Sequence, residues 1–144
     1  MASFEEAIAG MLSTDTALTT YVGTRVYDSI LPAVDPTTTS LPAITFQDVD
    51  RRDEPHFTGY CPETATMVQV DTWCATAASR RTVTAVLRTL MQEWRGAWGG
   101  IVVRRAFKDS DFDSTESRDD GGPLPAFRNT QRWTVWTRQA PVPV

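Results

Sequence analysis

MVQVDTWCATAASRRTVTAVLRTLMQEW, residues 67–94, changes its hydrophobic period once, and that change decides the fold. Over residues 66–75, Val68, Val70, Thr72 and Cys74 fall on one face of an extended chain, and Met67, Gln69, Asp71 and Trp73 on the other. This is the period of two that defines a strand, with the second face mixed rather than plainly polar. From Ala77 the apolar residues fall instead at Val83, Val86, Leu87, Leu90, Met91 and Trp94. That spacing makes a broad helical stripe. Gly96 and the Gly99-Gly100 pair are predicted to end the helix, as C-terminal glycines do.

Working outward toward the N-terminus, Ser3 and Glu6 match a capping box at the start of a short helix. The hydroxyl can accept an orphan amide, and the carboxylate suits the positive helix end. Phe4, Ile8, Met11 and Leu12 supply that helix with one apolar face. Thr14 or Asp15 offers a second start for a brief turn that carries Leu18, Tyr21 and Val22 and closes at Gly23. Strands are predicted over 24–30 and 43–49, the latter with Ile44 and Phe46 on one face. Toward the C-terminus come strands over 101–107 and about 127–138, where Trp133 and Val135 share a face and Trp136 takes the other.

Strands grouped around a long helix predict an α+β fold. The expected architecture is a mainly antiparallel sheet, with one long helix and a short N-terminal helix packed on one face. The 144 residues suggest a single domain over 1–144, with mobile loops near 32–42, 51–64 and 108–126. A chain of this size buries roughly 70% of its unfolded surface, enough for a core without staples. Long connections usually meet partners, so the loops direct attention to surfaces.

Composition narrows the function. Apolar residues make up 41% and charged residues 22%, which argues against wholesale disorder. The net charge of −4 does not favour a protein that reads nucleic-acid sequence. Two cysteines, Cys61 and Cys74, are too few for a secreted disulfide framework. Glu5 and Glu6 sit where a signal peptide would carry positive charge, and no run approaches a membrane span. A soluble protein made in the cytoplasm is expected.

The inventory for catalysis is thin. His56, the one histidine, lies in a polar loop, and any Ser-His or Cys-His pair must use it. The two cysteines lack CxxC spacing and cannot form a zinc set with a single histidine. Cys74, on an apolar strand face, reads as a small buried thiol. Neither phosphate-binding glycine motif occurs. No catalytic residue, cofactor or metal is assigned, and the protein is expected not to be an enzyme.

KDSDFDSTESRDDGG, residues 108–122, is the strongest metal candidate. A calcium loop starting at Asp109 would place Asp111 third, Asp113 fifth and Asp120 twelfth. The sixth position should be glycine but is Ser114, and the twelfth should be glutamate; the flanks read as strands where helices are required. The stretch therefore reads as a solvated acidic hairpin loop carrying Asp109, Asp111, Asp113, Glu116, Asp119 and Asp120. On the long helix, Arg81, Arg88 and Arg95 lie seven apart and form one basic stripe. Acidic loop and basic stripe together are the candidate subunit or partner interface. Either could serve as half of a charge-matched contact, with a neighbouring copy or with another protein.

The order of pieces also carries a resemblance. DTALTTYVGTRVYDSILP joins a short helix ending in a V-G pair to an R-V-Y strand and a proline, and LPAITFQDV follows as a proline-led strand. MVQVDTWCAT then runs directly into the long helix, and the chain finishes on the aromatic strand RWTVWT. This succession resembles the tail terminator, or tail-completion, family of long-tailed bacteriophages, prophages and gene transfer agents, over nearly the whole chain. The resemblance implies a structural virion protein without catalytic residues, assembled in the host cytoplasm. It implies a homo-hexameric ring that caps the head-proximal end of the tail tube, stops its growth and joins tail to head. Expected partners are further copies of the chain, the major tail tube protein, a head completion or stopper protein and the tape measure protein, with DNA only as cargo in the channel. A head-closure or connector ring is the nearest alternative, and a calcium-dependent binding module a more distant one. Neither the acidic stretch nor the arginine stripe maps to a family motif.

Overall fold

The computed structural model describes residues 3–28, 41–53, 63–98, 101–116 and 126–139. Three helices and six strands follow in the order α1 (Phe4–Thr14), α2 (Thr16–Val22), β1 (Val26–Asp28), β2 (Ala43–Asp53), β3 (Glu63–Cys74), α3 (Ala77–Gln92), β4 (Gly96–Trp98), β5 (Ile101–Glu116) and β6 (Ala126–Gln139). The strands form one mixed sheet in the order β1-β2-β3-β6-β5-β4. β1 runs parallel to β2, and the other neighbours are antiparallel.

The local signals explain the helix starts. Ser3 Oγ accepts from the Glu6 amide at 3.1 Å and Asp15 Oδ2 from the Leu18 amide at 3.0 Å, so each caps a helix. Gly23, at φ 57°, closes α2 with a backbone turn that a side chain would strain. The expected pair of helices, one long and one short, is in fact three: what reads as a brief turn is α2, and the sixteen-residue α3 does not stand alone.

Helices cover one face of the sheet. Phe4, Ile8, Leu12, Leu18 and Val22 from α1 and α2 join Val83, Leu87 and Met91 from α3. They bury Ile44, Phe46, Val68, Val70, Cys74, Val103, Trp133 and Val135 of the strands. The predicted alternation holds on β3 and on β6, where Trp133 is wholly buried and Trp136 is half-buried on the other face. Burial also pushes the Cys74 thiol above its ordinary pKa, although Ser79 and Arg80 oppose the rise.

The largest correction concerns strand length. The strand expected over 101–107 runs to Glu116 and pairs with β6 along its whole course, with Arg104 and Asp109 as extra residues at two bulges. Residues 108–116 are thus strand rather than loop. A bulge shifts the alternation by one residue, so a strand that contains two does not show a clean period of two. β2 likewise continues past the predicted loop boundary at residue 51 to Asp53, through a register shift near Val49. The strand expected over 24–30 is described only as Val26–Asp28. The helix stops at Gln92 with Glu93 as its cap, and Gly96, at φ 118°, belongs to β4 rather than to the helix end. Most of the loops expected at 32–42 and 51–64, and residues 117–125 of the third, lie outside the described residues, as do His56, Cys61, Asp119 and Asp120.

Candidate interaction surfaces

The predicted acidic and basic residues meet inside the chain. Asp111 and Asp113 pair with Gln131 and Asn129 of β6 and so share the helix-covered face beneath α3. The Arg88 guanidinium donates from Nε and Nη2 to Asp111 Oδ2 at 3.2 and 2.7 Å, Lys108 Nζ donates to the same oxygen at 3.2 Å, and Asn129 Nδ2 donates to Asp111 Oδ1 at 2.8 Å. Burial works against this carboxylate, but these donors outweigh it and hold its pKa below the ordinary value. Asn129 Nδ2 also reaches Asp113 Oδ1 at 2.8 Å. A polar cleft of about 290 Å³ lies here, lined by Arg80, Arg81, Thr84, Arg88, Asp111, Asp113 and Asn129.

The structure divides the predicted stripe. Arg81 is exposed and makes no ion pair with a described residue, Arg88 is committed to Asp111, and Arg95 is exposed beyond the end of α3. The arginine turned toward β5 is Arg80, which donates to the Ser114 carbonyl at 3.3 Å and lies over the Phe127 ring. Residues 81 and 88 lie only about 20° apart around a straight helix, whereas residues 80 and 88 lie about 80° apart at 3.6 residues per turn. Spacing along the helix therefore selects Arg81, and only the contact across to β5 singles out Arg80.

The calcium geometry also fails locally. Asp109 sits at a bulge and accepts from Thr134 Oγ1 at 2.5 Å, on the face opposite Asp111 and Asp113. Among the described residues no three of His, Cys, Asp and Glu gather as a metal site requires. Glu116 is the last residue of β5.

The face that no described helix covers carries a second polar system that sequence reasoning missed. Asp71, though only 5% exposed, accepts from Arg128 Nε at 3.1 Å, Thr130 Oγ1 at 2.6 Å and Gln69 Nε2 at 3.0 Å. Gln69 in turn accepts from Arg132 Nε at 3.1 Å. Arg128 stacks over Trp73 at 4.6 Å, and Arg105 lies over Phe107 and Trp136 at 5.4 and 5.2 Å. Guanidinium groups seated over aromatic rings lose little further freedom on meeting a partner. The available signal was the mixed second face of β3, where Gln69, Asp71 and Trp73 alternate.

Taken together, the fold is a helix-backed α/β sheet domain whose recognisable polar clusters are internal ion pairs and stacked arginines. The tail completion protein gp17 family model matches residues 6–139, so the chain belongs to that family, structural proteins of the phage tail. Among solved structures, it is similar to a chain from the virion of a native gene transfer agent particle, at 18% identity with a TM-score of 0.58. The alignment covers 90% of this chain and 91% of that one. No curated protein matches it in sequence. No described helix is long and apolar enough to cross a membrane.

Proposed function

We propose that this chain is a tail terminator: a ring, most simply a homo-hexamer, that caps the head-proximal end of the tail tube. The ring stops tube polymerisation and joins tail to head, and DNA passes through its channel. The family match over residues 6–139 carries this reading. Its place is in the virion, at the head–tail junction, after assembly in the host cytoplasm. It meets the major tail tube protein on one side, a head completion or stopper protein on the other, and the tape measure protein at the tube's end.

Arg81 and Arg95, exposed and without a described ion pair, are suited to acidic groups on a neighbour or partner. Charges placed so set orientation and register more than raw affinity. Arg88, Asp109, Asp111 and Asp113 contribute chiefly by shaping the surface from which those charges project.

The test is tube capping. Purified protein added to growing tail tubes should arrest elongation, with a ring at one end by electron microscopy and a closed oligomer by native mass spectrometry. Binding to the portal side with no effect on tube length would instead assign a head-closure ring.

A further inference from the structure

The two edges of the sheet are unlike and offset in opposite senses. Among the described residues β1 pairs with β2 at Ile44, Thr45 and Phe46, and no described strand lies beside the outer edge of β2 from Gln47 to Asp53. β4 covers β5 only at Ile101, Val102 and Val103, which leaves the outer edge of β5 without a described strand from Arg104 to Glu116. Every residue of β5 from Arg104 to Thr115 is partly or fully exposed. Of the four exposed large hydrophobic residues among those described, three lie on these edges: Val49 at 43%, and Phe107 and Phe112 each at 52%.

A strand edge of this length presents a row of backbone donors and acceptors, and such edges either pair or are blunted. The two bulges and the charged residues of β5 discourage indiscriminate pairing. They do not remove the row.

The rungs of the sheet show what would fit. Tyr27 of β1 stands on the same rung as Thr45, Asp71, Thr130 and Phe112, at the level of the open part of β5. Gly96 of β4 shares a rung with Val103, Thr137, Thr64 and Asp53, at the level of the open part of β2. Each short strand therefore projects at the height where the opposite edge has no described strand beside it. β1 runs parallel to β2 and hence antiparallel to β5. A second copy related by rotation would bring its β1 antiparallel against the part of the β5 edge that no described strand covers, with no turn of the molecule required. An interface between two different patches is the kind that closes into a ring.

We infer that copies of this chain join head to tail by continuing the sheet, the outer edge of β5 (104–116) of one copy receiving β1 (26–28) of the next. This rests on the ring reading and specifies its contact. The partner is a second copy because the offsets of the two edges complement each other, and main-chain pairing gives affinity while alternate side chains set the register.

Two measurements test it. Hydrogen exchange, compared between dilute and assembled protein, should slow alternate amides of 104–116 and those of 26–28 by about tenfold or more on assembly. In a chain with Cys61→Ser and Cys74→Ala, Tyr27→Cys combined with Phe112→Cys should oxidise to a covalent ladder that ends at the ring's copy number. Cross-strand neighbours lie close enough for a disulfide. Ser110→Cys and Ser114→Cys, on the same face, accommodate a slip of two residues either way. The single variants should give no ladder. An oligomer whose 104–116 amides stay unprotected would overturn the edge contact and leave the ring reading standing. Covalent dimers from Phe112→Cys alone would show β5 pairing with β5 about a two-fold axis, which overturns the head-to-tail contact. A chain that stays monomeric at every concentration, yet still arrests tube growth, would overturn self-pairing without touching the capping role.

Discussion

Asp48→Asn probes a site where α1 meets the sheet through two carboxylates and one arginine. Arg51 Nη2 donates to Glu5 Oε1 at 3.0 Å and to Asp48 Oδ2 at 2.6 Å, while Asp48 Oδ1 is buried and accepts from no described donor. Burial first, and the neighbouring Glu5 second, raise Asp48 from its ordinary 3.8 to about 7. The hydrogen bond from Asp48 then holds Glu5 down, from 4.5 to about 2. Between those limits the pair carries one proton, on Asp48. The unfolded chain has lost both protons above about pH 4.5, so from there to about 7 the folded protein binds more protons and stability must fall as pH rises. Below that window the sign reverses, because the depressed Glu5 contributes stability that is lost as pH falls toward about 2.

The raised Asp48 alone would set an upper limit of about 4 kcal/mol. Its side chain is 22% exposed and that of Glu5 37%, and solvent screening reduces the effect to ~1 kcal/mol. An asparagine keeps a donor for Glu5 and an acceptor for Arg51 but cannot ionise. Urea unfolding of both proteins should give equal stability near about pH 5, and the variant ahead by ~1 kcal/mol near about pH 8. The two chains differ only at this position, so the difference isolates Asp48. A difference that stays flat across this range would refute the shared proton.

Arg88→Ala should cost about 1.5–3 kcal/mol by chemical denaturation, and a double-mutant cycle with Asp111→Ala should show coupling of about 1 kcal/mol or more. Arg81→Glu should change stability by less than about 0.5 kcal/mol, since it leaves no described pair unmade. Asp71→Ala strips the acceptor from Arg128, Thr130 and Gln69 and should cost about 3 kcal/mol or more in the same assay, with Asp71→Asn milder. Trp133→Ala, which empties a wholly buried site and removes the donor to Gln131 Oε1 at 2.9 Å, should cost about 3–5 kcal/mol in thermal or urea unfolding.

The parts of the fold legible in the sequence are those where one residue sets one local interaction. Ser3, Asp15 and Gly23 fix the helix ends through their own side chain or φ angle, and the Val68–Cys74 and Val83–Met91 patterns each need only one neighbour to bury against. The parts not legible depend on pairing across the sheet. The strand from Lys108 to Glu116 reads as a loop because it is rich in aspartate, and aspartate disfavours strands on its own. Asp111 and Asp113 become tolerable there only because α3 sets Arg88 above them and β6 sets Asn129 beside them. β4 hides behind glycines for the same reason: three residues carry no period, and only the partner β5 makes them a strand. The stacked arginines of the open face needed the register of β3 on β6, which places Asp71 opposite Thr130 and Trp73 opposite Arg128.

That internal use of charge bears on the proposed association of copies. If an acidic loop on one copy met an arginine stripe on the next, the interface would weaken steeply with salt, because exposed charges lose most of their attraction beyond a Debye length. Here Arg88 and Asp111 satisfy each other within the chain at 2.7 Å, and Asp109 is occupied by Thr134. Arg81 and Arg95 remain for a neighbour, too few to hold a ring together on their own, since an exposed pair contributes only about 0–1 kcal/mol. An interface built on strand edges and on Phe107, Phe112 and Val49 draws instead on backbone hydrogen bonds and apolar burial, which salt does not screen. Oligomer mass measured by light scattering should therefore change little between about 0.1 and 1 M salt, over which the screening length falls from about 10 to 3 Å. Arg81→Glu with Arg95→Glu should likewise leave the oligomer intact and slow its assembly, as lost steering does. Dissociation into monomers at high salt would contradict the edge contact and restore charge matching as the force that joins the copies.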